Sequence, residues 1–117
     1  YVRVGACTYL HKRTGDDIWK NLFEFPLIET EAPVTEEEFR ELPQVRALFT
    51  DGEVSGLRLI SGNEKHVLSH RVIYANFYEV VLPENSTSFS AFQRVKTEDL
   101  EQYAVSRLVH AFLEKYL

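Results

Sequence analysis

His66, Ser69 and His70 lie within the six-residue segment KHVLSH, Lys65–His70. A hydroxyl next to an imidazole is the pairing that nucleophilic catalysis uses. Neighbouring residues of an extended chain point to opposite faces, so Ser69 and His70 would need a bulge to form a dyad. No carboxylate is evidently placed to orient the imidazole. A catalytic triad is therefore not expected at this segment.

The four histidines and the single cysteine are residue types that can bind a metal ion. His66 and His70 are four residues apart in a strand or loop context, and the sequence contains neither HExxH nor paired CxxC. We interpret each histidine as a lone exposed or half-buried residue. Cys7 is interpreted as a small core residue, and one cysteine without a disulfide partner fits a reducing cytosol. No metal site is predicted.

Six glutamates stand between Glu29 and Glu41, against one arginine. Carboxylates in such a group can hold magnesium at a phosphate anhydride. They can equally form a solvated helix face near the positive end of the helix dipole. We favour the helix face and keep the magnesium interpretation as the alternative.

The chain has 13 Lys and Arg against 18 Asp and Glu, a net charge of −5. This balance argues against a free-standing DNA-binding domain, because cationic side chains supply most non-specific affinity for phosphates. The charge is uneven, however. Between Leu57 and Val72 the basic side chains outnumber the single acid, Glu64, and this segment could face an anion.

The pattern of apolar and polar residues predicts the strands and helices that position these side chains. A chain of 117 residues is long enough for one domain. No apolar run approaches the ~20 residues of a membrane span, and no signal peptide is predicted. We predict one domain over 1–117, a fragment of a longer protein, because the chain opens in a strand-like run without Met. The predicted strands are Tyr1–Leu10, a short strand ending at Pro26, Val54–Ser61, His66–Ser69, Val72–Leu82 and Phe92–Val95, with a turn at Gly62-Asn63.

Helix signals appear at three places. Thr35 and Glu38 form a capping-box pattern that opens a helix, and Pro43 should break or kink it. Thr97 is predicted to cap a brief helical turn, and Ser106 a final helix with one apolar face. Strands and helices in this order predict an α+β layered domain.

The segment HKRTGDDIWKNLFEFPLIE resembles the Nudix superfamily, whose active hydrolases continue into a helix with an Arg-Glu-hydrophobic-x-Glu-Glu pattern that binds magnesium. Here TEAPVTEEEFRELPQVRAL has glutamates without that order. The chain is more similar, across nearly its whole length, to the carboxy-terminal domain of A/G-specific adenine DNA glycosylases (MutY-type). The landmarks are LFEFP, KHVLSH, the aromatic strand after it, and the ending YAVSRLVHAFLEKYL. The resemblance implies a Nudix-like fold, a mixed or antiparallel sheet packed with an internal and a C-terminal helix.

In that family the middle segment usually reads His-x-Phe-Ser-His and contacts the damaged base opposite the adenine. His66, Ser69 and His70 match, and Leu68 replaces the aromatic residue; leucine can also wedge between bases. By this resemblance the lesion-binding residues are Leu68, Ser69, His70 and Arg71.

The resemblance also implies the context in which the domain works. Its partners are double-stranded DNA with 8-oxoguanine:adenine mispairs and the amino-terminal catalytic domain of the same protein, in a bacterial cytoplasm. That domain would hold the catalytic acids and a 4Fe-4S cluster, with no cofactor and no catalytic residue in this chain, which is expected to be monomeric and not membrane-bound. The alternatives are a Nudix pyrophosphohydrolase acting on oxidised nucleotides and a protein-interaction module.

Overall fold

The computed structural model describes residues 1–13, 21–48, 56–67, 72–86, 88–89 and 91–116. We number its elements in chain order. The strands are β1 Val2–Val4, β2 Cys7–Lys12, β3 Phe23–Glu24, β4 Gly56–Val67, β5 Val72–Leu82 and β6 Gln93–Lys96. The helices are α1 Glu36–Glu41, α2 Pro43–Leu48 and α3 Arg107–Tyr116, with a 3₁₀ helix over Thr97–Gln102.

All six strands form one mixed sheet. Its order is β3-β2-β1-β5-β4, and β6 pairs with β2 outside that path. β1 lies parallel to β5, while the other pairings are antiparallel. The prediction of an α+β fold with a mixed sheet, an internal helical segment and a C-terminal helix is therefore confirmed.

The two faces of the sheet bury separate apolar clusters. On the first face the cluster is Val2, Val4, Tyr9, Val80, Leu82 and Phe89, with Leu48 of α2 packed against it. On the second face it is Leu10, Phe25, Val95, Leu100, Val109 and Phe112, which includes two residues of α3. The sheet is thus a central layer with α1 and α2 on one side and α3 on the other. In the described part of the chain no helix is long and apolar enough to cross a membrane.

The prediction of one strand over Tyr1–Leu10 is wrong. β1 and β2 form an antiparallel hairpin in which Val4 is the partner of Cys7. Gly5 takes a φ of 59°, a left-handed conformation that glycine adopts without steric cost. The alternating pattern continues through the turn, so it does not reveal that the chain reverses there.

The predicted turn at Gly62-Asn63 is also wrong, because β4 continues through it. The pairing of β4 with β5 shifts register twice, between Leu59 and Ser61 and between Ser61 and Glu64. Asn63 has a φ of 55°, and its N–H donates to Asn76 Oδ1 at 2.7 Å. Gly62 and Asn63 are residue types that favour turns, but here they lie at a bulge-like irregularity within β4 and do not reverse the chain.

The helix boundaries agree with two of the three predicted signals. Thr35 and Glu38 form the complete capping box, and Pro43 begins α2 after Leu42 leaves α1 in an extended conformation. Val109 N–H donates to Ser106 Oγ at 3.3 Å, which confirms the α3 cap. Thr97 is not a cap: it is the first residue of the 3₁₀ helix, and Lys96 precedes that helix without a side-chain hydrogen bond.

Candidate nucleic-acid interface

β4 and β5 form the long hairpin that carries the KHVLSH segment. Val67, the last residue of β4, is the register partner of Val72, the first residue of β5. The connection between the strands therefore falls on residues 68–71. Leu68, Ser69, His70 and Arg71 lie outside the described residues, and their assignment as lesion-binding residues stays a prediction.

This hairpin extends well past the strand beside it. β1 pairs with β5 only over Val80–Leu82 of the latter strand. From Val80 to Val72 the strand advances roughly 25 Å at about 3.3 Å per residue. Val67 and Val72 thus lie at the far end of a two-stranded arm that β1 does not cover.

Two cross-strand pairs occupy one face of the arm. Directly opposed residues of antiparallel strands share a face, which groups Lys65 with Tyr74 and Val67 with Val72. We call these four residues the tip face. All are exposed, with Val67 at 67%, Tyr74 at 59% and Val72 at 45%. Three large apolar side chains in water beside a lysine are typical of a surface that meets a partner.

Contact with the helices ends just short of the tip face. Tyr78 has the same side-chain direction as Tyr74, four residues earlier, because strand side chains alternate. Phe39 of α1 stacks on Tyr78 with ring centroids 3.9 Å apart. Asn76 and Tyr74, the next two residues on that face, are exposed. The helix pair therefore covers the inner part of this sheet face and leaves its outer end in solvent.

The opposite face of the arm is held by α3. Glu64, the register partner of Ala75, accepts hydrogen bonds from Ser61 Oγ at 2.5 Å and from Lys115 Nζ at 3.3 Å. The Ser61 hydroxyl, followed by the Lys115 ammonium, lowers the pKa of Glu64 from its ordinary value. The acidic residue of the basic segment is thereby paired with a cation, on the side away from the tip face.

The basic segment Leu57–Val72 is not one continuous patch. Arg58 Nε contacts Glu79 Oε1 at 3.1 Å, and Arg3 contacts the same carboxylate at 3.5 Å. Arg58 therefore belongs to an ion-pair cluster near the inner end of β4. Lys65 is on the tip face, and His66 is half-buried opposite Ile73.

Three of the four α1 glutamates make structural contacts. Glu36 Oε1 accepts from Leu59 N–H at 3.3 Å and pairs with Arg40, which donates to the Leu57 carbonyl. These bonds satisfy backbone groups along the edge strand β4, a common protection against edge pairing. Glu38 completes the capping box, and Glu41 pairs with Arg46. Among the described residues, no group of three or more His, Cys, Asp and Glu converges where it could hold a metal ion.

The LFEFP segment also has a structural role. Glu24 is buried, and its carboxylate contacts Arg13 Nη1 at 3.1 Å and His11 Nε2 at 3.0 Å. This cluster joins the ends of β2 and β3, while Phe25 enters the core cluster beside α3. His11 is therefore not the lone residue expected from the sequence.

An apolar cavity of ≈ 140 Å³ lies between β5, the segment after β3, and the three helices. Tyr78 and Phe39 line it, together with Leu27 and Val109. Pockets for small ligands usually measure about 300–1,000 Å³. This cavity holds at most a small apolar group and offers no room for a nucleoside triphosphate.

Two residues of the tip face, Tyr74 and Val72, went unrecognised in the sequence. β5 looked like one continuous buried strand because Val72, Tyr74 and Tyr78 share one alternation. The only signal was Asn76, a polar residue within that alternation. Lys65 was noted for its charge, but its pairing with Tyr74 depends on the register of β4.

A family model described as the NUDIX domain matches residues 1–115. Searches of curated proteins and of solved structures returned no match. The mixed sheet between two helical layers agrees with the family model. Because that match spans nearly the whole sequence, the chain belongs to the NUDIX domain family.

Proposed function

We propose that this chain is the lesion-recognition domain of a bacterial A/G-specific adenine DNA glycosylase. The observation that carries the proposal is the β4–β5 arm. The arm ends at Val67 and Val72, the described residues that flank Ser69 and His70 in the sequence, and its end carries an exposed face that contains an aromatic residue and a lysine. Such a projecting end suits a reader that must reach a base within a duplex.

The chemistry of the lesion explains why a serine would be used. Guanine has a bare acceptor at N7, whereas 8-oxoguanine has an N–H there and a carbonyl oxygen next to it. The Ser69 hydroxyl can accept from the new N–H, and its backbone N–H can donate to the new oxygen. Undamaged guanine would leave these groups mismatched, which costs about 1–3 kcal/mol.

The neighbouring residues have supporting roles in this proposal. Leu68 presses against adjacent bases as a wedge. His70 and Arg71 orient the connection or meet a phosphate. The partner is duplex DNA with an 8-oxoguanine:adenine mispair, read by a monomeric domain in the bacterial cytoplasm.

Adenine removal itself would belong to a preceding helical domain of the same protein. A 4Fe-4S cluster needs four thiolates, and this chain has one cysteine, so its own residues do not fit such a cluster. The net charge of −5 also suits a domain that reads the lesion while another domain supplies most of the backbone contacts.

The family match favours one competing function, a pyrophosphohydrolase acting on oxidised nucleotides. Its chemistry would require carboxylates around magnesium. Three of the four carboxylates of α1 are instead engaged: those of Glu36 and Glu38 accept from backbone N–H groups, and that of Glu41 pairs with an arginine. Incubation with 8-oxo-dGTP and magnesium separates the two functions: our proposal expects no pyrophosphate release, and a clear release would contradict it.

The direct test of the proposal is Ser69→Ala in the complete gene product. Binding constants are measured for duplexes with 8-oxoguanine:adenine and with guanine:adenine. We expect the preference for the lesion to fall by about 5- to 150-fold, the equivalent of 1–3 kcal/mol. Ser69→Thr keeps both hydrogen-bonding groups and is the matched control. An unchanged ratio in Ser69→Ala would remove Ser69 from the role.

A further inference from the structure

We propose that Lys65 and Tyr74 bind the sugar–phosphate backbone of DNA beside the base that the connection reads. This inference rests on the proposed function, because it takes the partner at the end of the arm to be duplex DNA. It adds a backbone-positioning contact that is separate from base recognition. Phosphate contacts of this kind fix the register and orientation of a protein on the duplex.

The pairing of the two residues makes them one unit. Lys65 and Tyr74 are register partners on neighbouring strands, so their Cβ atoms lie about 4.5–5.5 Å apart. The tyrosine ring offers an apolar surface to a deoxyribose and a hydroxyl to a phosphate oxygen. The lysine ammonium supplies the charge. Within the described part of the chain, Lys65 makes no ion pair that would occupy it.

Charge on the tip face favours an anionic partner. Among the described residues, no carboxylate shares this face with Lys65 from Asn76 to the end of the arm. Glu64 lies on the opposite side and is bound by Lys115. A chain with a net charge of −5 thus presents a local cation where its aromatic side chain is exposed.

A second copy of the chain fits this surface less well than DNA does. A two-fold contact through the tip face would bring two Lys65 ammonium groups into one interface. No carboxylate among the described residues of that face could pair with them. Like charges brought together without partners disfavour association. A polyanion removes this conflict because its phosphates provide the countercharge.

The Lys65–Tyr74 pair lies near the end of the arm. Val67 and Val72 separate the Lys65–Tyr74 pair from the connection. That separation is two residues, about 7 Å of strand. Successive phosphates of one DNA strand advance about 3.4 Å along the helix axis. The pair would therefore contact the backbone within a few nucleotides of the base read by Ser69.

The experiment measures the salt dependence of DNA binding by the complete gene product. Binding constants for the lesion duplex and the guanine:adenine duplex are determined by fluorescence anisotropy over a range of salt concentrations. Lys65→Gln should weaken both by the same factor and reduce the slope of log K against log salt by about 0.9. Tyr74→Ala should weaken both duplexes equally with the slope nearly unchanged.

Lys96→Gln is the matched control. Lys96 is exposed on β6, across the sheet from β4, so the slope should stay at the wild-type value. A wild-type slope in Lys65→Gln would overturn the inference, as would an equal loss of slope in Lys96→Gln. A dimer in sedimentation equilibrium that Tyr74→Ala dissociates would assign the face to a second copy instead.

The two proposals fail separately. The Ser69→Ala ratio reports base recognition, and the Lys65→Gln slope reports the backbone contact. An unchanged ratio with a reduced slope would remove Ser69 from lesion recognition and leave the tip face as a DNA-binding surface. A reduced ratio with an unchanged slope would refute only the backbone contact.

Discussion

Tyr78→Phe is expected to stabilise the protein, although Tyr78 is part of its core. Its hydroxyl is buried, and it finds no hydrogen-bond partner in the described structure. The ring itself stacks on Phe39, a contact that phenylalanine retains. Removal of the hydroxyl therefore deletes an unsatisfied polar group while the apolar contacts stay in place.

The magnitude follows from the cost of that group. A buried polar group without a partner costs about 1–3 kcal/mol. Tyr78 lines the apolar cavity, so the neighbouring side chains can relax around the hydroxyl, and we expect the low end, about 1 kcal/mol. For a domain of this size the melting temperature should rise by about 4 °C.

Alkaline conditions provide a second readout for the same variant. Burial, followed by the nearby Glu36 carboxylate, raises the pKa of Tyr78 above its ordinary value of 10.0. A group with a raised pKa in the folded state contributes stability that is present below pH 10 and is lost as pH rises through the folded pKa. Tyr78→Phe should lose less stability over that range than the wild type.

The assay is urea unfolding followed by circular dichroism, at neutral pH and above pH 10. Tyr78→Leu is the control, because it removes both the hydroxyl and the ring stack and should destabilise the protein. If Tyr78→Phe lowers the free energy of unfolding by 1 kcal/mol or more, the hydroxyl must be satisfied in the folded protein. The reasoning would then be refuted.

Two further predictions concern the packing that supports the arm. Phe112 is 3% exposed and stacks on Phe77, so Phe112→Ala should cost about 3–5 kcal/mol in urea unfolding; a loss below 1 kcal/mol would contradict the docking of α3. The lowered pKa of Glu64 means that its contribution is present above its ordinary value of 4.5 and is lost as pH falls through the folded pKa. Glu64→Gln should therefore flatten the fall in urea midpoint between pH 5 and pH 3; a curve for Glu64→Gln that runs parallel to that of the wild type would contradict the link to α3.

Local signals predicted those parts of the fold that a few neighbouring residues determine. The capping box of Thr35 and Glu38 involves hydrogen bonds within one turn, and the Ser106 cap reaches only to Val109. Pro43 separates two helices because its missing N–H and fixed φ act on the adjacent turn. Such features need no knowledge of distant strands.

Features that depend on a distant partner were predicted wrongly. Gly62 and Asn63 have turn-forming chemistry, but β5 pairs on both sides of them and absorbs them into β4. Gly5 reverses the chain inside an alternating pattern that looks continuous. In both cases the backbone conformation depends on which strand supplies the hydrogen bonds. The residues next to the glycine in sequence do not reveal that strand.

The candidate site likewise combines features that local sequence signals predict with features that depend on distant residues. The place of the connection was predicted only in part, because the sequence predicts one strand over His66–Ser69 and the next over Val72–Leu82. β4 ends at Val67 and β5 begins at Val72, while residues 68–71 lie outside the described residues. The tip face was not predictable, because Tyr74 and Tyr78 have the same alternation and differ only in whether α1 covers them. Whether a tyrosine of β5 is covered depends on where α1 ends, and this six-residue helix is far from both tyrosines in the sequence.

The arrangement of charge explains how an acidic NUDIX domain could present a DNA-facing surface. Glu36 of α1 is bound along the β4 edge, Glu41 is paired with Arg46, and Glu64 is bound by Lys115. None of these carboxylates lies on the tip face, where Lys65 is exposed beside Tyr74. Glu64 and Lys65 are consecutive residues on opposite faces of one strand, so α3 contacts the arm through Glu64 and leaves Lys65 exposed for the phosphate contact that we propose. Loss of the Glu64–Lys115 pair would therefore weaken DNA binding indirectly, by freeing a negative charge next to the cation that our proposal requires.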